Sequence, residues 1–135
     1  MHLVVERIEH HRLEARTATA TVVVDRAGAQ GGDANVFRSV ELLLAGLGTC
    51  MVGTMLTFAE EQDIPVGDVR VELRPLVALN PERVSKIRMT MHVGGDLTDE
   101  QLEQLREAAE TCKVHNTLHA GAATELRIQH AAVGA

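Results

Sequence analysis

Two cysteines and a short histidine-bearing run are the residues of this chain whose types and spacing could do chemistry. Cys50 stands in the middle of VELLLAGLGTCMVGTMLTFA, an almost uninterrupted apolar stretch from Val40 to Ala59. Cys112 stands further on, with His115 and His119 following at i+3 and i+7. The thiolate, not the thiol, is the nucleophile. Burial raises a thiol's pKa, so a reactive Cys50 inside a core needs a cation to offset it. No lysine or arginine lies between Val40 and Glu61, so that charge must arrive from elsewhere. Arg26 and Arg38 before the apolar stretch are candidates, as are Arg7, Arg12 and Arg16 near the start of the chain. Three chemistries stay open at this point. The thiols could be inert small hydrophobes. Cys50 could react with peroxides. Or Cys112, His115 and His119, sharing one face of a continuous helix, could bind zinc or copper with Cys50 as a fourth ligand.

The element that must position Cys50 is a helix over 40–59. At ~1.5 Å per residue it spans about 30 Å, the width of a small domain. A helix that is apolar all round must be buried all round, which a 135-residue chain hardly achieves alone. A second copy is therefore expected to cover it. About 18 apolar residues can also cross a bilayer. Against that stand Glu41 at one end, three glycines inside, and Glu60, Glu61 and Asp63 at the other end. No basic cluster orients the stretch. A buried core helix, with no membrane, is the expectation.

The flanking segments read as strands and helices. His2 to Glu9 and the Thr/Val-rich Glu14 to Asp25 predict two strands, and Arg26 to Ser39 is a Gly-rich connection. After Asp63-Ile64-Pro65 ends the helix, Val69, Val71 and Leu73 alternate with charged residues. Ile87, Met89, Met91 and Val93 do likewise, which predicts an antiparallel pair. Thr98 and Gln101 form a capping box opening a helix whose stripe is Leu102, Leu105, Ala109 and Cys112. A short helix over Val114 to Ala120 stops at Gly121, and Thr124 to His130 alternates as a last strand. The order β-β-α-β-β-α-β predicts one α+β domain over 1–135.

Composition narrows the functions. A net charge of −6 argues against nucleic acid as a partner. Two Phe and no Tyr or Trp leave no stacking platform for single strands. Two cysteines with no secretory signal at the start favour thiol chemistry in the cytoplasm over a disulfide framework.

The runs ELLLAGLGTC and LTDEQLEQLREAAETCKVHNTL resemble the two-cysteine signature of the OsmC/Ohr superfamily, the osmotically inducible and organic hydroperoxide resistance proteins. The resemblance follows element order along essentially the whole chain. It implies an OsmC-like fold, with antiparallel sheets wrapped around long central helices in an intertwined homodimer. It also implies a thiol peroxidase without a cofactor. Cys50 would attack a small organic hydroperoxide, Cys112 would resolve the product as a disulfide, and a dithiol, often a lipoylated protein, would reduce it. Glu41 matches the family's common glutamate, and Arg26 is a candidate activating arginine. Three positions depart from the pattern: Ser39 replaces its opening proline, Val40 stands where the hydroperoxide-resistance branch has a glutamate, and Lys113 replaces the proline after the second cysteine. Nine residues at ~100° each also place Glu41 across the helix from Cys50. The alternatives are a non-catalytic dimer holding a small apolar ligand, and a metal-binding protein.

Overall fold

The long apolar run folds as one unbroken helix, α1 (Ser39–Glu61), in the computed structural model, which describes residues 1–25 and 35–131. At its start the Glu41 carboxylate accepts the Arg38 N–H at 2.8 Å, satisfying a backbone donor at the helix entrance. At its end Asp63 turns with φ 53° and the Ile64 N–H returns to the Ala59 carbonyl at 2.9 Å. Leu44, Leu47, Gly48, Met51, Met55 and Ala59 make the buried stripe. By length and composition α1 could cross a membrane. Here its buried stripe packs on a sheet and two helices.

That sheet is the expected antiparallel pair, two-stranded, made by Val69–Ala78 and Arg83–Val93. Taken in chain order the strands are β1 (Val4–Arg7), β2 (Arg12–Arg16), β3 (Thr21–Asp25), β4 (Val69–Ala78) and β5 (Arg83–Val93). Leu73 faces Met89 and Val69 faces Val93 across the ladder, and these four pack on the core with Ile87 and Met91. The period-2 reading of both strands therefore holds. The helix lies close to this sheet because residue 48 has no side chain: a Cβ there would stand 3.0 Å from Leu73 Cδ1. Gly95, at φ 117°, is needed for a second reason, since a Cβ would strike the Pro65 carbonyl oxygen.

The N-terminal sheet has the order β1-β2-β3, all antiparallel. One strand was expected over Glu14 to Asp25; it is two. Thr17 breaks it, its hydroxyl accepting the N–H groups of Ala20 at 3.0 Å and Thr19 at 3.3 Å. This local turn outcompetes continued extension.

α2 (Asp99–Ala109) begins with the expected capping box, Gln101 N–H to Thr98 Oγ1 at 3.1 Å and Thr98 N–H to Gln101 Oε1 at 2.9 Å. Leu105 and Ala109 are buried as the stripe requires, but Leu102 is exposed. α3 (Lys113–Ala120) follows and stops at Gly121, φ 81°. The expected last strand, Thr124 to His130, does not form. Its alternation is intact, yet neither sheet pairs with it, and Leu126 and Ile128 are 93% and 92% exposed. The chain is an α+β fold of two antiparallel sheets and three helices.

Candidate active site

α1 carries Cys50 half-buried against the core cluster that contains Cys112. Both cysteines are free thiols. Cys112 does not continue α2. It caps α3 in an extended conformation (φ −68°, ψ 151°), its sulfur accepting the His115 N–H at 3.2 Å, and it is 1% exposed. Capping by a sulfur does for α3 what a serine or aspartate oxygen does elsewhere.

The same helix start faces Cys50. The first N–H groups of a helix have no partner within it, and the helix dipole favours negative charge there. The Val114 N–H at this helix start holds the Cys50 pKa below the ordinary thiol value. Partial burial opposes this, while the Cys112 thiol, the Lys113 N–H and the Thr54 hydroxyl assist it. For Cys112 burial acts first and pushes the thiol up; the His115 N–H opposes, and the neighbouring Cys50 raises it further. The two environments pull the pair apart. Of the two, Cys50 is the more readily ionised.

The other expected site residues lie elsewhere. Glu41 caps the start of α1, nine residues from Cys50 and on the opposite side of the helix at ~100° per residue. Arg38 is the residue before α1, and Arg16 pairs with Glu6 at 2.7 Å. Arg26 lies outside the described residues. Among the described residues, the groups that shift Cys50 include backbone amides and no arginine or lysine side chain. The metal reading assumed that Cys112, His115 and His119 share a helix face. Cys112 stands outside that helix, the two imidazoles stack with centroids 6.1 Å apart, and no group of three metal-ligating side chains gathers among the described residues. The functional groups missed in the sequence are the amides of Lys113 and Val114 and the Thr54 hydroxyl. Their signal was present: a helix ending at Gly121 and starting directly after a cysteine.

Beside the pair opens a groove of about 690 Å³ between α1 and α2. Thr54, one turn beyond Cys50, and Thr111, next to Cys112, both line it. A second groove, of about 560 Å³, runs between β5, α1 and α2, with Met51, Met55, Met89 and Met91 in its wall.

An α+β fold that sets two free thiols of opposite acidity at one helix start defines a class of cysteine-centred proteins. The chain belongs to the OsmC-like protein family, whose model matches residues 31–127. Solved structures with this fold include an osmotic stress induced and detoxification response protein from Psychrobacter arcticus (21% identity, 85% of each chain, TM-score 0.76). An OsmC-like protein from Mycoplasma pneumoniae is 16% identical over 87% of this chain and 86% of its own, at TM-score 0.77. The organic hydroperoxide resistance protein OhrB of Bacillus subtilis is 18% identical over 86% of this chain and 87% of its own, at TM-score 0.60. No curated protein matches the sequence.

Proposed function

We propose that this chain is a thiol-dependent peroxidase for organic hydroperoxides, working as a homodimer. One observation carries the reading: two free thiols meet in the core, Cys50 on α1 packing against the cluster that holds Cys112, with Cys50 shifted down by helix amides and Cys112 shifted up by burial. The Cys50 thiolate attacks the terminal oxygen of R–O–O–H. The S–O bond forms, the O–O bond breaks, sulfur is oxidised to sulfenic acid and an alkoxide leaves, becoming the alcohol once it takes up a proton. Cys112 then attacks the sulfenate sulfur, forming the disulfide and releasing water. An external dithiol reduces the disulfide by exchange and becomes a disulfide itself. The hydroperoxide resistance named for the Bacillus subtilis neighbour points the same way.

A dimer is supported by what the single chain leaves uncovered. Val40 and Leu43 are exposed on α1, as are Gly46, Thr49, Gly53 and Thr57. A second copy of α1 would cover that face, and a sheet edge of the partner would accept the unpaired segment 124–130. The alternative, an apolar-ligand module without turnover, rests on the methionine-lined groove.

The test is one equivalent of an alkyl hydroperoxide. Both thiols should disappear and one intrachain disulfide form. Cys112→Ser should stop at the sulfenate and, in excess peroxide, climb the irreversible oxidation ladder. Cys50→Ser should not react. Equal reactivity of the two single variants would remove the peroxidase mechanism.

A further inference from the structure

We propose that Cys112 donates the proton to the departing alkoxide in the first chemical step, before it acts as the resolving thiol. This rests on the peroxidase reading and adds a catalytic role to one of its residues.

Attack on R–O–O–H by the Cys50 thiolate releases an alkoxide, a far stronger base than a thiolate. Leaving it bare in a half-buried site is costly, so a proton must arrive as the O–O bond breaks. Cys50 packs against the core cluster that holds Cys112, and among the described residues of this chain the groups acting on its sulfur are the amides of Val114 and Lys113, the Cys112 thiol and the Thr54 hydroxyl. Amides donate hydrogen bonds but do not give up protons. A threonine hydroxyl is as weak an acid as the alcohol being made, so transfer from it gains nothing. No carboxylic acid, imidazole, ammonium or guanidinium is among these groups. The Cys112 thiol remains, a much stronger acid than any alcohol.

Its placement suits the task. As the cap of α3 it packs inside the core against Cys50. The His115 N–H, 3.2 Å from its sulfur, steadies the thiolate that proton loss creates. The balance is complete. Thiolate and hydroperoxide give sulfenic acid and alkoxide; alkoxide and the Cys112 thiol give alcohol and the Cys112 thiolate. That thiolate attacks the sulfenic acid, forming S–S, breaking S–O and releasing hydroxide, which takes a proton from water. The proton that completes the first step is the one Cys112 must lose before the second.

Two peroxides separate this role from resolution alone. tert-Butyl hydroperoxide leaves as a basic alkoxide, whereas peracetic acid leaves as acetate, which needs no proton. In rapid-mixing single turnovers, Cys112→Ala should oxidise Cys50 about 10²-fold more slowly with tert-butyl hydroperoxide, the scale of a lost general acid. The peracetic acid rate should be unchanged. Equal slowing with both peroxides, or slowing with neither, overturns the proposal. Should that variant fail to fold, the unaltered protein decides. Its tert-butyl hydroperoxide rate should rise with pH as Cys50 ionises and fall again as Cys112 loses its proton; a plateau with no alkaline fall overturns the proposal. An unaltered protein inert to both peroxides sinks the peroxidase reading and this role with it. Cys50 oxidation by tert-butyl hydroperoxide that Cys112→Ala leaves at the unaltered rate sinks this role alone.

Discussion

The backbone N–H of Val114, in the first turn of α3, holds the pKa of Cys50 on α1 below the ordinary thiol value. Cys50 is thus tuned by another helix's first amides, and the helix that supplies them is capped by the second cysteine.

The first prediction tests those donors. Lys113 is the first residue of α3, a position proline fits because its missing N–H is unpaired within the helix anyway. Here that N–H serves Cys50. Lys113→Pro should therefore raise the pH midpoint of Cys50 ionisation towards the ordinary thiol value, and Lys113→Ala, which keeps the N–H, should leave it in place. Thr54→Val should also raise it. The sign follows from which form is stabilised: fewer donors mean less thiolate, so oxidation at neutral pH slows. Thiolate absorbance against pH is the measurement. A shift in Lys113→Ala equal to that in Lys113→Pro would mean that side-chain charge, not the amide, does the tuning.

How much of this was legible in the sequence depended on range. α1, the β4–β5 pair and the capping box of α2 are written in periods and short offsets, and each formed as read. Cys112 was correctly placed inward, but on the wrong helix, because the stripe through Leu105 and Ala109 continues past the true end of α2. The break at Thr17 turned on one hydroxyl that a Thr/Val-rich run disguises. The tuning of Cys50 was unreadable for a different reason. Sequence shows side-chain charge, whereas the groups facing Cys50 are mostly backbone amides, which every residue carries. The strand expected over 124–130 had the right pattern, but a strand needs a partner, and none is offered within the single chain.

Glu41 gives the second prediction. Its carboxylate holds the Arg38 N–H and lies in the first turn, where the helix dipole favours an acid. Glu41→Ala should cost about 1 kcal/mol of stability, the scale of a lost helix cap. Single-turnover oxidation of Cys50 should keep its wild-type rate. Slowed oxidation with unchanged stability would reverse the assignment and return Glu41 to the reacting centre.

The third prediction contrasts two leucines of α2. Leu105 is 1% exposed and belongs to the cluster with Met51, Met55 and Cys112. Leu105→Ala removes buried methyls and leaves a cavity, so denaturant unfolding should report a loss of about 2–5 kcal/mol. Leu102, three residues earlier, is 41% exposed. Its truncation should change stability by about 0.5 kcal/mol or less if nothing covers it. Comparable losses at both sites would show that the groove beside Leu102 is filled in solution.

The last prediction concerns the uncovered face of α1. A Cβ built at Gly46 or Gly53 meets no atom within 4 Å, so within one chain either position tolerates a large side chain. Leucine is also the better helix former by about 1 kcal/mol. For an isolated chain, Gly46→Leu and Gly53→Leu should therefore raise stability. For a dimer in which two α1 helices meet along this face, the same side chains hold the backbones apart and should drive dissociation. Sedimentation velocity at micromolar concentration distinguishes the two: wild type should run as a dimer and each variant as a folded monomer with unchanged helix content. Hydrogen exchange supplies a second readout. Amides of 124–130 should be protected in the wild-type dimer and lose that protection in the variants, because a strand borrowed by the partner is released with it. A wild-type monomer, or leucine variants that remain fully dimeric, would remove this face from the interface and leave the exposed Leu126 and Ile128 without the cover assigned to them.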